Sequence, residues 1–494
     1  MKNVFSRNDR SVGYSAYLGL LLWSTILGGS LWIGTAANSQ ESIVLPPPID
    51  KATAEKRSSH FAQVSLNITS DRYDLDRYPL TPNHEAHWRS TLWASAVLEP
   101  DHPEVANALV NLLSLTLKPR LTDTETRLLE MALQVSHQFY DRSEQWQQRL
   151  KPALEETIAR SNHPRWVTLA LSTLVQTHRI EDVSEDLRND RENWLNTAKI
   201  RLESLEKLAP DPQSSLLLNI AIRDLSDRLF GNPLDVAQPP LEDWFSWQIS
   251  PGELQLFVLC DQTRSQPCHT ALKDGSGQWV SDPQDATQIW SIALSGRSLH
   301  GLPWYLSRGE TPQGIYRLDR FIDQPDTDFF YAYGFFPLLN LYVPKEEAIP
   351  PLSFPHKIQQ LSDYQQLLPP RWRNYFPAQE TYWAGSLGRG LFRIHGTGES
   401  TDFFANNDRY PASQGWNPAI GCLTALEQYD DQGNLVRADM ANLLQILKSL
   451  TVEKTTETIA NPPGIIGQTT GYVIVLDVPN PPQLIQSLRA RPLN

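Results

Sequence analysis

The sequence predicts an α+β protein of more than one domain, with a helical N-terminal domain followed by a mostly β domain. Three observations support this prediction. The 494 residues exceed what one hydrophobic core usually organises. Apolar residues follow a helical period from about Trp88 to Phe230. Beyond residue 240, short β-type runs separated by Gly, Pro and Asp replace that period.

The composition restricts the classes of function. Apolar residues make up 40% of the chain and charged residues 20%, which is typical of a globular protein and not of a disordered one. The net charge is −13, whereas a nucleic-acid partner requires a basic surface. We therefore expect no nucleic-acid partner.

The N-terminus carries an export pattern. Basic residues precede an uncharged, 21-residue apolar run from Tyr17 to Ala37. Such a run is also long enough to span a bilayer as a helix. Residues 1–40 are therefore predicted to be a cleaved signal peptide or an uncleaved inner-membrane anchor, and the remaining chain is expected in the periplasm or elsewhere in the cell envelope.

The predicted helical domain covers residues 81–230. His102 and His163 each precede a proline that can occupy the first helical position, so we interpret both histidines as helix-start residues and not as ligands. The similar spacing after each predicts HEAT-type stacked helical hairpins or an ordinary bundle. Because no charged pair here has catalytic spacing, we expect this domain to dock another envelope protein or to act as a spacer. The apolar positions behind these predictions are Val105, Leu109, Leu112 and Leu113, then Val167, Leu171, Leu174 and Val175.

Two segments rich in proline and polar residues are predicted to be linkers, residues 41–80 and residues 231–245. We expect few contacts to cross the second one, so that residues 240–494 fold without the helical part. The β domain is predicted over residues 246–494, with one clear helix at 438–450. Its β-type runs are "ELQLFVL", "QWV", "IWSIAL", "GIYRLDRF", "GLFRIHG" and "GYVIVLDV".

The chain has three cysteines. Cys260 and Cys268 flank a polar turn between two β-type runs, so in an oxidising compartment they are candidates for a disulfide across that hairpin. Two free thiols are the alternative. Cys422 has no sequence neighbour of its kind, and a lone thiol in an exported protein needs an explanation.

His395 and Cys422 are the candidates for chemistry. His395 ends the "GLFRIHG" run, where alternation places it opposite Phe392 and Ile394. A cysteine nucleophile needs a neighbouring base. The alternative is a buried cysteine and an unrelated histidine at the end of a strand. The histidine precedes the cysteine, opposite to the order in papain-like enzymes. No metal-binding motif occurs, so we predict neither a metal nor another cofactor.

The residues before the cysteine are suited to binding a negatively charged oxygen. Gly421 lets the backbone approach a substrate closely. The amides of Ile420, Gly421 and Cys422 can together form an oxyanion hole.

Three motifs resemble those of the L,D-transpeptidase catalytic domain, the YkuD-like fold. "GETPQGIYRLDRF" (309–321) resembles its "TPxGxY" segment, "RIHGTG" (393–398) its "IHGT" segment, and "IGCL" (420–423) its "SxGCIR" motif. They occur in the order of that family and cover roughly residues 250–430. The resemblance implies an exported, mostly β enzyme that acts on peptidoglycan stem peptides.

The resemblance also implies roles for individual residues. Cys422 would be the nucleophile, His395 the base, and Gly421 a contributor to the oxyanion hole. The carbonyl of Gly396 would orient the imidazole. An acyl group held on Cys422 would pass to an amine of a second stem peptide, forming a cross-link, or to water, as in an L,D-carboxypeptidase. We expect the pH profile to rise as a thiolate–imidazolium pair forms, and not near the value of about 8.5 that is usual for a free thiol.

The sequence departs from the family pattern at three positions. Ala419 replaces a hydroxyl residue, Ile420 a histidine, and Thr424 an arginine. The 27-position distance from histidine to cysteine is also longer than is usual in that family. Ala419 and Thr424 favour the alternative of a catalytically degenerate wall-binding scaffold, whereas the intact His395 and Cys422 oppose it. The departures also lead us to expect that Thr424→Arg is tolerated.

Three further residues are candidates for substrate binding. Arg389 and Arg393 are proposed to recognise a substrate carboxylate in place of the missing arginine, the alternative being solvated strand arginines. Trp304 is proposed to line the cleft, with core packing as the alternative.

Overall fold

The structure is a computed structural model. It describes residues 48–178, 185–208, 211–230, 237–322, 334–344, 358–397, 404, 410–450 and 465–489. The predicted signal peptide or anchor, residues 1–40, lies outside these ranges. None of the helices in the described ranges combines the length and hydrophobicity needed to cross a membrane.

The N-terminal part is helical, as predicted. Thr53 caps the first helix by accepting a hydrogen bond from the Lys56 backbone, so part of the expected 41–80 linker is helical. Two of the longer helices begin at Pro103 and Pro164, where the sequence predicts helix starts. The helices are α1 (Ala54–Ser65), α2 (Glu85–Leu98), α3 (Pro103–Leu113), α4 (Asp123–Tyr140), α5 (Glu144–Arg160), α6 (Pro164–Leu174), α7 (Glu185–Leu208) and α8 (Pro212–Phe230).

The helix-start predictions are confirmed. His102 and His163 are the N-cap residues of α3 and α6, each followed by proline at the first helical position. All eight apolar residues predicted from the two repeats are buried in one core cluster. HEAT-type stacking stays a prediction, since an ordinary bundle would bury the same residues.

The C-terminal part is built around a closed eight-stranded barrel in the order β1-β10-β4-β5-β6-β7-β3-β2. A separate two-stranded sheet pairs β8 with β9. The strands are β1 (Leu254–Cys260), β2 (Cys268–Lys273), β3 (Ala293–Ser295), β4 (Gly314–Ile322), β5 (Leu338–Tyr342), β6 (Phe392–Gly396), β7 (Leu423–Ala425), β8 (Glu427–Tyr429), β9 (Leu435–Ala438) and β10 (Ile465–Asp477). The α+β class is therefore confirmed.

Five helices accompany these strands, whereas the sequence predicts only the one at 438–450. The others are short, so a helical period is hard to recognise in them. They are α9 (Glu242–Ser246), α10 (Leu361–Gln365), α11 (Glu380–Ser386), α12 (Asp439–Leu450) and α13 (Pro481–Arg489).

Alternation along the strands separates two hydrophobic cores. On β6, Phe392 and Ile394 belong to one core cluster together with residues of α12 such as Leu443. Arg393 lies between them on β6 and points to the other face, as His395 does. On β1, Phe257 and Leu259 join a second cluster with α13. The alternation predicted for "GLFRIHG" is thus present, and it places His395 opposite the first core.

The disulfide candidates are bridged. Cys260 ends β1 and Cys268 begins β2, and their sulfurs are 2.04 Å apart. Cys422 is the third cysteine of the chain and is free.

The connection from β3 to β4, residues 296–313, joins the barrel to the helices. Its residues Leu299, Leu302 and Leu306 are buried in the same cluster as the helical core. The expectation that few contacts cross between the two parts is therefore wrong. The described residues from 48 onward form one compact unit.

Hydrogen bonds from the same connection reach three helices. Tyr305 bonds through its hydroxyl to Asp224 of α8 at 2.8 Å and to Ser172 of α6 at 3.1 Å. An imidazole nitrogen of His137 on α4 lies 3.1 Å from the carbonyl oxygen of Gly301. The connection is thus anchored among the helices by polar as well as apolar contacts.

Candidate active site

His395 and Cys422 are brought together by the parallel pairing of β6 and β7. His395 is in register with Thr424, and Cys422 stands two positions before Thr424. Cys422 directly precedes β7, which begins at Leu423, and its thiol accepts a hydrogen bond from the backbone of Arg393, two positions before His395 on β6. The 26 intervening residues thus separate them in sequence only.

The orientation of the imidazole is set by its own strand. His395 Nδ1 lies 2.7 Å from the carbonyl oxygen of Gly396, so Nδ1 carries the proton and donates it to that carbonyl. In the neutral ring, Nε2 is then the basic nitrogen. Burial lowers the pKa of His395 to about 4, assisted by the nearby charge of Arg393. The imidazole is therefore neutral at neutral pH and able to accept a proton.

The thiol of Cys422 lies in a mostly protein environment, although the residue is partly exposed. Burial raises the pKa of Cys422. The charges of Arg393 and Arg389 and a hydrogen bond from the Arg393 backbone oppose this effect without reversing it. Both members of the pair are thus neutral at rest, and His395 would act as a general base during attack. Burial thus opposes the thiolate–imidazolium pair on which the expected pH profile depends, and that profile stays a prediction.

Gly421 is required by the backbone before Cys422. Its φ of 122° lies in a region that side-chain-bearing residues rarely adopt. A Cβ on Gly421 would lie 2.6 Å from Nη2 of Arg389 and 3.0 Å from the ring of Phe392. The chain can therefore make this turn, and present Cys422, only with glycine.

Arg389 supports the site through contacts with the backbone of the β3–β4 connection and with Phe392. Its guanidinium donates to the backbone carbonyls of Gly309 and Glu310 at 3.0 and 3.1 Å and lies 5.0 Å from the ring centre of Phe392. Burial lowers the pKa of Arg389 to about 10, so the group stays charged at neutral pH. Its contacts hold the β3–β4 connection against residues 419–422, which we call the cysteine loop. Arg393, on β6, is only partly buried and lies beside both His395 and Cys422.

Thr311 is a site residue that the sequence analysis did not select, although it stands in the "TPQG" motif. Its hydroxyl is buried and lies 3.0 Å from the carbonyl oxygen of Gly421 and 3.5 Å from that of Cys422. The β3–β4 connection therefore binds the cysteine loop directly. The motif itself was the signal that could have identified this residue.

Two of the three departures from the family pattern, Ala419 and Thr424, have structural roles. Ala419 forms a bridge with Ser298, which aligns the cysteine loop on the β3–β4 connection. Ile420 is 44% exposed beside the nucleophile. Thr424 is buried and donates to the Asn417 carbonyl at 3.2 Å. An arginine at 424 would bury a charge, so the expectation that Thr424→Arg is tolerated is no longer supported.

Trp304 packs against the helical core. It packs edge-on against Tyr305 and near Phe376, among the partly buried residues at the helical core. This placement agrees with the core-packing alternative.

In the described ranges, no cluster of His, Cys, Asp and Glu has the arrangement of a metal site. No family model matches the sequence, no curated protein matches it, and no solved structure matches the chain. The fold is that of a protein with a helical part and a closed β-barrel, in which His395 lies on one strand and Cys422 directly precedes the parallel neighbouring strand. Membership of the L,D-transpeptidase family is a proposal that depends on the motifs and on this geometry.

Proposed function

We propose that the chain is an exported cysteine acyltransferase of the L,D-transpeptidase type that acts on peptidoglycan stem peptides. One observation carries the proposal. His395, with its tautomer set by the Gly396 carbonyl, lies on β6 beside the start of β7, which Cys422 directly precedes. A thiol beside an oriented neutral imidazole is the arrangement that nucleophilic cysteine catalysis requires.

The proposed reaction has two halves. His395 Nε2 accepts the thiol proton as Cys422 Sγ attacks the carbonyl between the diamino acid and the terminal D-alanine. The resulting oxyanion is stabilised by backbone amides at Gly421 and Cys422. The intermediate collapses to a thioester, and the imidazolium gives its proton to the departing D-alanine amine. An amine of a second stem peptide then attacks the thioester, and His395 accepts and returns a proton in the same way.

The neutral resting pair shapes this mechanism. Because burial disfavours both the thiolate and the imidazolium, proton transfer and attack would occur together once substrate is bound. The positive charges of Arg389 and Arg393 would stabilise the thiolate as it forms. Hydrolysis of the same thioester would make the protein an L,D-carboxypeptidase.

A degenerate scaffold is the second candidate function. It is favoured by Thr424, whose buried hydroxyl occupies the place of the family's arginine and bonds to Asn417 instead of facing substrate. In that case the protein would bind sacculi without forming an acyl-enzyme. The helical part would then be the functional surface, docking another envelope protein.

The test uses the full chain and a stem tetrapeptide donor. Wild-type protein should gain the mass of the acyl group on Cys422 and release D-alanine, and Cys422→Ala should do neither. His395→Ala should be slower by at least about 100-fold, as expected when a positioned base is removed. Release of D-alanine by Cys422→Ala at the wild-type rate would show that the nucleophile is wrong. Sacculus binding by both proteins without any turnover would favour the scaffold.

A further inference from the structure

A buried carboxylate lies against the peptide that orients His395. Glu427 begins β8 and has no exposed surface. Its backbone and that of the β6 end are joined through Thr397, whose hydroxyl accepts from Glu427 N at 3.0 Å. The side chain is thereby directed toward the end of β6, where the Gly396 carbonyl accepts a hydrogen bond from His395 Nδ1.

Two glycines make room for this carboxylate. A Cβ on Gly396 would overlap Oε1 of Glu427, and a Cβ on Gly334 would overlap the same carboxylate from the other side. The carboxylate is thus enclosed by two backbones, and any side chain at either position would displace it. Gly396 is next to His395 in sequence, so the carboxylate and the imidazole flank one peptide unit.

The two carboxylate oxygens differ in their bonding. Oε2 accepts hydrogen bonds from the Phe335 backbone at 2.9 Å and from the Tyr429 hydroxyl at 2.8 Å. Oε1, the oxygen against Gly396, is buried and has no hydrogen-bond partner in the part of the chain that the structure describes. A buried oxygen without a donor is costly and is seldom kept without a role. The unpaired oxygen faces the catalytic histidine's peptide.

We propose that Glu427 is a positioning residue for His395: its buried carboxyl fixes the Gly396 peptide that orients the imidazole and supplies the negative charge that supports the imidazolium. The inference rests on the proposed function, since it assigns Glu427 a part in the reaction of His395 and Cys422. It adds a third group to that pair, reached through backbone and not by direct contact.

The ionisation of Glu427 makes the proposal testable. Burial raises the pKa of Glu427 to about 7, against the opposing effect of its hydrogen bonds. The titratable and charged groups on the neighbouring described elements are the neutral His395 and the charged Arg393 on β6, Tyr429 on β8, and Arg437 with Asp439 at β9 and α12. The last two bind each other at 2.9 Å. Above neutral pH the ionised carboxylate should favour the imidazolium, and a shift of one in the imidazole pKa changes the population of the thiolate–imidazolium pair about tenfold.

The experiment measures the alkylation rate of Cys422 by iodoacetamide on the full chain between pH 5 and 10, by intact mass under non-reducing conditions. Cys260 and Cys268 are bridged, so Cys422 is the reporting thiol. The wild type should show a rise of up to about tenfold near pH 7 before the main rise of the thiol. Glu427→Gln, which keeps the shape and removes the charge, should lose the rise near pH 7.

Glu310→Gln is the matched control, because burial also raises the pKa of Glu310 to about 7 while that carboxylate lies beside Arg264. It should keep the rise. Loss of the rise in Glu310→Gln but not in Glu427→Gln would overturn the inference, as would a wild type with no rise near pH 7. If Glu427→Gln fails to fold, the wild-type and Glu310→Gln profiles still decide.

A third variant separates this inference from the proposed function. His395→Ala should lower the rate at every pH and abolish the rise near pH 7. If His395→Ala matches the wild type, the cysteine–histidine pair is not functional and both proposals fail. If His395→Ala is slow while Glu427→Gln matches the wild type, only the role of Glu427 is refuted.

Discussion

Replacing Thr311 by valine tests whether the β3–β4 connection holds Cys422 in place. The hydroxyl of Thr311 is buried and 3.0 Å from the carbonyl oxygen of Gly421. Valine has nearly the same shape but cannot donate. A buried acceptor left without its donor costs about 1–3 kcal/mol, so Thr311→Val should lower the free energy of unfolding by that amount. If about 1.4 kcal/mol of this loss appears as misalignment of Cys422, the thiol should react about tenfold more slowly, because 1.4 kcal/mol corresponds to a factor of ten.

Two measurements on the same samples separate stability from alignment. Chemical denaturation gives the free energy of unfolding, and the iodoacetamide rate at Cys422 gives the reactivity of the folded site. Thr311→Ser keeps the donor and is the control, so it should stay close to wild type in reactivity. A Thr311→Val protein that is less stable but alkylates at the wild-type rate would refute the reasoning, since the cysteine loop would then be aligned without this bond.

Three further predictions follow from burial. The pKa of Glu427 is raised from 4.5 to about 7, so the folded protein binds that proton more tightly than the unfolded chain. This contribution is present below pH 4.5 and is lost as the pH rises through 7. This one group should therefore lower the wild-type free energy of unfolding by up to roughly 3 kcal/mol as the pH rises from 4.5 to above 7. Glu427→Gln should lack that part of the pH dependence, as measured by denaturation at each pH. Thr424→Arg should destabilise the protein by about 3 kcal/mol or more, because the new charge is buried beside Asn417, and a wild-type melting temperature would contradict this. The fragment 240–494 should expose Leu302 and its neighbours to solvent and bind a hydrophobic dye, whereas a dye-free, cooperatively unfolding fragment would show that the helices are dispensable.

The sequence predicted secondary structure best where local chemistry determines it. Pro103 and Pro164 mark helix starts because their rings suit the first helical position. The alternation in "GLFRIHG" predicts which side chains enter the barrel core, because a strand has a period of two. In both cases neighbouring residues carry the information.

The site was predicted only in part because its support comes from distant segments. His395 and Cys422 were found from their own strands and from motif order. The contact of Thr311 with Gly421 spans 110 positions, and Glu427 reaches Gly396 through backbone packing that no local pattern encodes. An acidic residue inside the apolar "LTALEQY" run was the available signal for Glu427.

The boundary between the two parts was misjudged for a similar reason. Residues 231–245 have the composition of a linker, which describes the chain locally. The contacts that join the parts come instead from residues 296–313, far along the chain, and these look like an ordinary loop between strands. Leu302 and Tyr305 reveal their role only when their packing among the helices is seen.

The shared core has a consequence for the order of synthesis. The helices up to Phe230 leave the ribosome before Leu299, Leu302 and Leu306 have been made, so the helical core is incomplete at that stage. At ordinary elongation rates the gap lasts on the order of ten seconds. During that time the newly made helices present an uncovered apolar surface, which a chaperone can bind. The helical part is thus finished by the barrel segment that follows it, and the two mature as one nascent unit.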